Sequence, residues 1–496
     1  MLQRTPISEA LDLRPYQHKA IDGLRGALRS GASRPVLQAP TGAGKTKIAT
    51  AIVANALEKG RRVAFCVPAV SLIDQTLRAF HDDGIKDMGA QQGDHPMWRP
   101  HAPVQVCSIQ TLEKRTLPEA DVVIVDECHI QRDRIKRWME ECPDLPFIGL
   151  SATPWSRGLG TMYDALVVAA RTRELIDQGF LSPFKVYAPS APNMDGVRTQ
   201  AGDWHSGDLA ALARDDRALV GDVVATWREL AEDRPTVVFA VDRAHAAILQ
   251  QQFEINGVAA AYIDCFTPRD KRDDIRIRFY SGTVKVVVNV DCLGIGVDWD
   301  VRCVVLARPH KSEMAYVQKV GRGLRTAEGK DHCLILDHSS TTMRLGFVDE
   351  IHHDTLDDGS PRKKSDVLPE VKVTTCSGCG LVVRRSVRTC PGCGAAMPVA
   401  PLETKARIDQ GSLGLFDKAS RAKATMEDKA VAYAGLRHYA LARNYKEGWA
   451  ANCYREMYGV WPNSFKGIAP RKPTDQLLKW IQARNIRRAK STRRRT

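Results

Sequence analysis

The sequence predicts an α/β protein whose bulk is two lobes, each a parallel sheet covered by helices. Three observations predict it: two successive series of short apolar runs, helix-length segments between those runs, and a glycine-rich turn closing the first run. In the first series, the run at 36–38 is stopped by Pro40 and Gly42, and residues 45–57 then repeat apolar side chains at helical spacing. Similar runs follow at 63–67, 104–108, 122–125 and 147–150. The second series has runs at 237–240, 284–290, 301–306 and 333–336, with helices expected over 243–256 and 315–324. Between the series, residues 155–219 have a middle rich in Pro, Gly, Ser and Asp, 189–207, which reads as a loop or insertion.

At 496 residues the chain exceeds what one hydrophobic core serves, so roughly three domains are expected. No stretch approaches the roughly 18 uninterrupted apolar residues of a membrane helix, and residues 1–15 carry polar side chains throughout. A cytoplasmic protein is therefore expected. Nine of the 13 cysteines are scattered singly, which suits buried thiols in a reducing compartment. The net charge is +14, and from Arg471 onward ten basic residues face one acid, Asp475. Polyanions are the expected partners, with a merely solubilising tail as the alternative.

The chemistry starts at the segment Ala39-Pro-Thr41-Gly42-Ala43-Gly44-Lys45-Thr46, between a strand and a helix. Backbone amides of such a turn, with the helix N-terminus behind them, cradle phosphates. Lys45 is expected on the β and γ phosphates of ATP and Thr46 on Mg²⁺. The strict motif begins with Gly where this chain has Ala39, so the pattern rests on its structural context. The run at 122–125 leads into Asp126-Glu127-Cys128-His129, setting two carboxylates at the C-terminal edge of a strand. Asp126 is expected to bind Mg²⁺ and Glu127 to activate the attacking water.

With these motifs the sequence resembles superfamily 2 helicases of the DEAD/DEAH-box type, in an Asp-Glu-Cys-His variant, over about residues 13–336. The resemblance implies two tandem RecA-like lobes and an ATP-hydrolysing motor stimulated by nucleic acid. It implies that Arg14 and Gln17, in Leu13-Arg-Pro-Tyr-Gln17, read the adenine, and that Ser151-Ala-Thr153 links hydrolysis to lobe movement. His129 would meet Gln318 when the lobes close. Gly294-Ile-Gly296-Val-Asp298 and Gln318-Lys-Val-Gly-Arg322-Gly-Leu-Arg325 match the family's last two motifs, with Gly296 and Asp298 at the nucleotide and Arg322 and Arg325 as arginine fingers. A guanidinium brought in from a second lobe stabilises charge on the transferring phosphoryl group. Loops at 67–75, 108–112, 241–243 and 289–292 are implied to touch the strand.

Cys376-Ser-Gly-Cys379 and Cys390-Pro-Gly-Cys393 form two knuckles ten residues apart, the spacing of a tetrahedral, structural Zn²⁺ site. A redox or disulfide pair is the competing reading, and contact between DNA and the basic hairpin 384–388 is an open question. Farther on, Tyr445 with Trp449 and Tyr454 with Tyr458 stand at i, i+4 spacing, as core or as platforms for bases. The knuckle and this tail together resemble RadD-type DNA-repair helicases and related phage helicases. That narrower resemblance implies DNA, single-stranded or branched, over RNA. It also implies repair, recombination or replication as the setting.

The expected division is a first lobe at 1–188, a linker or insertion at 189–218, a second lobe at 219–345, a linker at 346–370, the knuckle at 371–398, a linker at 399–425 and a helical, aromatic and basic module at 426–496. Two other readings compete with a helicase: a duplex translocase or restriction-type motor subunit that separates no strands, and a non-catalytic DNA-binding scaffold.

Overall fold

The computed structural model describes residues 6–188, 194, 196–200, 202–215, 218–231, 233–292, 299–360 and 373–397, then 426–446, 448–458, 460–465, 467–474, 477, 478, 480, 481 and 484. The chain divides into two units, residues 1–400 and 401–496. In chain order the strands of the first lobe are β1 (Pro35–Gln38), β2 (Val63–Val67), β3 (Met88–Gln91), β4 (Val104–Ser108), β5 (Val122–Asp126), β6 (Phe147–Ser151) and β7 (Ala165–Val168). They form one sheet in the order β3-β4-β2-β5-β6-β1-β7, every pair parallel. Val36, Leu37, Val63, Val123 and Phe147 are fully buried, because helices cover both faces of the sheet and β-branched runs supply that burial without alternation. β3 and β7 were absent from the expected series: Met-Gly-Ala-Gln is too weakly apolar to read as a strand, and β7 lies in the stretch expected to separate the lobes.

The chain continues as β8 (Phe184–Tyr187), a small antiparallel hairpin of β9 (Thr199–Gln200) and β10 (Asp203–Trp204), then β11 (Thr236–Phe239), β12 (Ala260–Ile263), β13 (Val286–Asn289), β14 (Cys303–Leu306) and β15 (Cys333–Asp337). The second sheet runs β12-β13-β11-β14-β15-β8, again all parallel. This corrects the expected boundary after residue 188, since β8 pairs with β15 at an edge of the second sheet. An edge strand is placed by its hydrogen-bonding partner, and local sequence does not name that partner. The expected insertion holds the β9–β10 hairpin and the helix Ser206–Asp215, and Asp203 fastens the hairpin to the second lobe by accepting from the Lys311 N–H at 2.6 Å.

β16 (Val373–Thr375) and β17 (Val382–Arg384) make the hairpin of the cysteine knuckle. It docks on the free side of β8, where the Ala188 N–H donates to Gly380 O and Tyr187 bridges Leu381. Residues 347–360, within the expected linker, form a strap from the second lobe back to the first. The Gly160 N–H donates to Asp357 O at 2.8 Å, the Gly158 N–H to Asp357 Oδ1 at 2.9 Å and Arg171 Nη2 to Asp354 Oδ1 at 2.9 Å. His353 lies against the Trp155 ring at 4.8 Å and also reaches Glu313 of the second lobe at 2.7 Å.

In the second unit, the helices Met426–Ala442 and Trp449–Tyr458 pack around Leu436, Cys453, Tyr454, Met457, Leu477 and Ile481. No helix among the described residues is long and apolar enough to cross a membrane.

Candidate active site

The order β5-β6-β1 brings three strand ends side by side: Asp126 on β5, Ser151 on β6, and on β1 the turn that carries Lys45. Gly42 and Gly44 hold φ of 87° and 75°, a left-handed backbone that ordinary side chains resist. They fold the turn so that the helix Lys45–Glu58 begins at Gly44 with no side chain capping its N-terminus. Open amides and the positive end of the helix dipole therefore face the site. Thr46 is exposed at the second helical position.

Lys45 Nζ lies 2.6 Å from Glu127 Oε1 and 4.0 Å from Asp126 Oδ1. Burial would lower the Lys45 pKa, but the two carboxylates offset this and hold the ammonium above its ordinary range. Burial pushes Asp126 up, with Glu127 adding to the rise, whereas Lys45 and then His129 overcome burial and keep Glu127 ionised below the usual range. Glu127 has φ of 49°, a left-handed backbone that costs a non-glycine residue, and its carboxylate reaches the Lys45 ammonium. Its Oε2 is buried without a hydrogen bond: it sits 3.3 Å from His129 Nδ1, whose bond goes instead to Ser151 Oγ at 2.8 Å. A carboxylate oxygen left waiting, a lysine, uncapped amides and a second acid suit a phosphate chain, Mg²⁺ and a water molecule.

The second lobe closes on this site. Gln318 Nε2 donates to His129 Nε2 at 3.0 Å and to Thr153 Oγ1 at 2.9 Å. If His129 Nε2 accepts, Nδ1 carries the proton towards Ser151 Oγ, which also accepts from the Thr153 N–H at 3.0 Å. Burial pushes His129 down to about 4, so the neutral ring this network needs persists at neutral pH. Arg322 is buried beside Lys45, Asp126 and Glu127, shifting the pKa of each. A side chain at Gly42 would meet Arg325 Cγ at 3.0 Å, and one at Gly321 would meet Thr41 Cβ at 2.7 Å. The expected groups Thr41 to Thr46, Asp126, Glu127, His129, Ser151, Thr153, Gln318, Arg322 and Arg325 thus converge. Gly296 and Asp298, with Gly294, lie outside the described residues.

Gln17 is buried, its amide donating to Ala43 O at 3.0 Å and its oxygen accepting from the Arg14 N–H at 2.9 Å. One N–H and one lone pair remain for a base edge. Two neighbours were not foreseen: Tyr16, whose hydroxyl donates to the same Ala43 O at 2.8 Å, and Phe180, under the Arg14 guanidinium at 4.9 Å. The Tyr16 was visible in the sequence beside Gln17; Phe180 was not, since 163 residues of chain fold to bring it there.

Also unforeseen is a cavity of about 200 Å³ at the strand ends of the second lobe, lined by Asp203, Asp291, Arg308, His310, Gln318 and Lys319. Lys319 Nζ binds Asp291 at 2.9 Å and His310 Nε2 at 3.2 Å, and Asp203 approaches His310 Nδ1 at 3.4 Å.

In the knuckle, the four sulfurs lie within 4.8 Å of one another, with Cys376 to Cys393 at 3.6 Å and Cys379 to Cys390 at 3.7 Å. Sulfurs about 2.3 Å from a tetrahedral zinc stand about 3.8 Å apart, so the donor set fits a metal ion. In the basic hairpin, Arg384 is engaged by Glu350 at 2.7 Å and Arg385 donates to Val373 O at 3.3 Å.

Two parallel-sheet lobes with an open phosphate cradle and arginines from the facing lobe define an ATP-driven motor. The family model described as "Type III restriction enzyme, res subunit" matches residues 10–156, and "Helicase conserved C-terminal domain" matches 219–327. The chain is a superfamily 2 helicase with restriction-type relatives, and its motor is an ATP-dependent helicase or translocase acting on nucleic acid. It is 27% identical to a 51.5 kDa protein of a Lactococcus phage, over 69% of this chain and 74% of that one. It is 28% identical to the putative ATP-dependent helicase IRC3 of Saccharomyces cerevisiae over 66% of this chain, but spans only 51%, about half, of that relative. A fragment of a putative HsdR subunit of a type I restriction enzyme from Vibrio vulnificus shares the fold, with a TM-score of 0.55 at 22% identity over 70% of this chain and 67% of that one.

Proposed function

We propose that the chain is a DNA-stimulated ATPase that steps along one strand as its cleft closes and opens. The observation that carries this reading is the join across the cleft, where the Gln318 amide binds both His129 and Thr153. Lys45 and the amides of residues 42–46 hold the phosphates. Thr46 and Asp126 would hold Mg²⁺, which when bound would supply positive charge against the phosphate oxygens. Glu127 orients the attacking water and takes its proton, while Arg322 and Arg325 stabilise charge on the transferring group. Arg14 and Gln17 hold the base, and the family resemblance assigns Gly296 and Asp298 to the nucleotide as well. Loss of the phosphate group changes the charge that faces Arg322, and His129, Ser151, Thr153 and Gln318 carry that change between lobes.

Zn²⁺ at Cys376, Cys379, Cys390 and Cys393 is structural: four protein ligands leave no open position. The basic C-terminus and the RadD-like knuckle and tail support DNA, single-stranded or branched, in repair, recombination or replication. A second reading is supported by the restriction-subunit match: a motor that moves along duplex DNA and separates no strands. ATP turnover measured alone, with single-stranded DNA, with duplex DNA and with RNA, beside Glu127→Gln, tests the first reading. DNA stimulation that the variant loses supports it, and stimulation by RNA alone overturns it. Separated strands, or a displaced roadblock on an intact duplex, then decide between the two motors.

A further inference from the structure

The two aromatic pairs of the C-terminal module, alike in sequence, differ in the structure. Tyr454 is buried, tilted against Tyr458 at 4.8 Å and packed edge-on by Tyr433 and Phe465. That pair is core. Tyr445 is 40% exposed and lies nearly parallel to Trp449, centroids 4.7 Å apart with 18° between planes. Trp449 also stacks on Tyr439 at 5.6 Å and 23°. Asn444, in the left-handed region at φ 53°, ends the helix Met426–Ala442, and the Tyr445 N–H returns to Ala440 O, which folds Tyr445 back onto this stack.

Cations surround the stack. Arg443 and Lys446 are exposed on either side of Tyr445, with the Arg443 guanidinium 5.5 Å over the Tyr439 ring. The buried Arg484 lies 5.6 Å from the Trp449 ring and is neutralised by Glu456 at 2.6 Å. A second exposed ring, Trp461 at 46%, lies under Arg455 at 4.6 Å. Residues 426–496 hold 16 Lys and Arg against five Asp and Glu, a surplus of 11 within the chain's +14. An exposed hydrophobic ring alone would suit many partners. Flat rings interleaved with cations, in the segment that carries most of the protein's positive charge, suit alternating bases and phosphates.

We infer that the C-terminal module is a second nucleic-acid site, binding single-stranded nucleic acid by stacking a base on Tyr445 with Arg443 and Lys446 on the flanking phosphates. It rests on the reading of the chain as a nucleic-acid motor, and adds an anchor outside the motor's own track.

The test uses the full chain and a fluorescein-labelled oligothymidylate, followed by anisotropy. Tyr445→Ala is expected to weaken binding about tenfold or more, Tyr445→Phe to bind as the parent does, and Arg443→Ala with Lys446→Ala to flatten the salt dependence. Maximal DNA-stimulated ATP turnover stays unchanged in Tyr445→Ala, while the oligonucleotide concentration for half-stimulation rises. Unchanged affinity in Tyr445→Ala overturns the inference while leaving the motor reading intact; a parent protein that no nucleic acid stimulates overturns the motor reading instead. Should Tyr445→Ala lose helix content, photocrosslinking of the parent to an iodouridine oligonucleotide decides. A crosslinked peptide containing Tyr445 supports the site, and crosslinks confined to residues 1–400 overturn it.

Discussion

The helix Lys45–Glu58 of the first lobe and the helix Arg243–Ile255 of the second both follow a strand flanked on each side by parallel neighbours, β1 and β11. The first starts at Gly44, which offers no capping group. The second starts at Asp242, whose carboxylate accepts the His245 N–H at 2.8 Å. A helix N-terminus draws negative charge, and the protein answers that demand from its own chain in one lobe and leaves it for a ligand in the other. Similar architecture thus carries two different helix starts, a six-residue turn ending at Gly44 and a three-residue turn ending at Asp242.

The largest effect tests whether the open helix serves catalysis. Glu127→Gln, and separately Arg322→Ala, is expected to lower stimulated ATP turnover about 10³- to 10⁵-fold while nucleotide binding stays measurable. Turnover retained in both would remove their assigned roles. Next, the first helix can be given what the second has. Gly44→Asp sets a carboxylate where a phosphate belongs, in a left-handed backbone that Asp tolerates, with a new Cβ against Gln17 Nε2 at 2.6 Å. The concentration of ATP for half-maximal turnover should rise about a hundredfold, about 2.7 kcal/mol.

A third experiment concerns the buried charges at the strand ends of the second lobe. Burial, then Lys319, push His310 down to about 4, with Asp203 opposing and Arg308 adding to the fall. The unfolded chain binds that proton near pH 6.5, so stability from the neutral ring is complete above pH 6.5 and is lost as pH falls towards 4, up to about 3 kcal/mol. Unfolding midpoints across this window should fall less steeply in His310→Asn than in the parent. The smallest effect is Asp242→Ala: loss of the cap costs about 1 kcal/mol in thermal or urea unfolding, and ATP turnover does not change. A drop in turnover would mean that this helix start also meets the substrate.

Much of the candidate site was legible as a set of neighbouring groups because its motifs are local. The turn from Thr41 to Thr46, the pair Asp126-Glu127, and Gln318 with Arg322 each declare themselves within a few residues. What was not legible depends on partners far along the chain. β8 reads as the end of the first lobe until β15 pairs with it. Asp203 looks like a polar loop residue until it meets His310 and Lys311. The two aromatic pairs of the C-terminal module share one spacing, and only packing against Tyr433 and Phe465 makes one of them core.

The strap at residues 347–360 has a mechanical consequence. The chain first crosses from one lobe to the other before β8, and the strap then returns to grip Gly158, Gly160 and Arg171. A body hung from one point swivels freely, whereas a body hung from two turns about the line that joins them. A second suspension point of this kind restricts how the lobes can swing against each other, and removing the Asp354 and Asp357 side chains is expected to loosen that restraint.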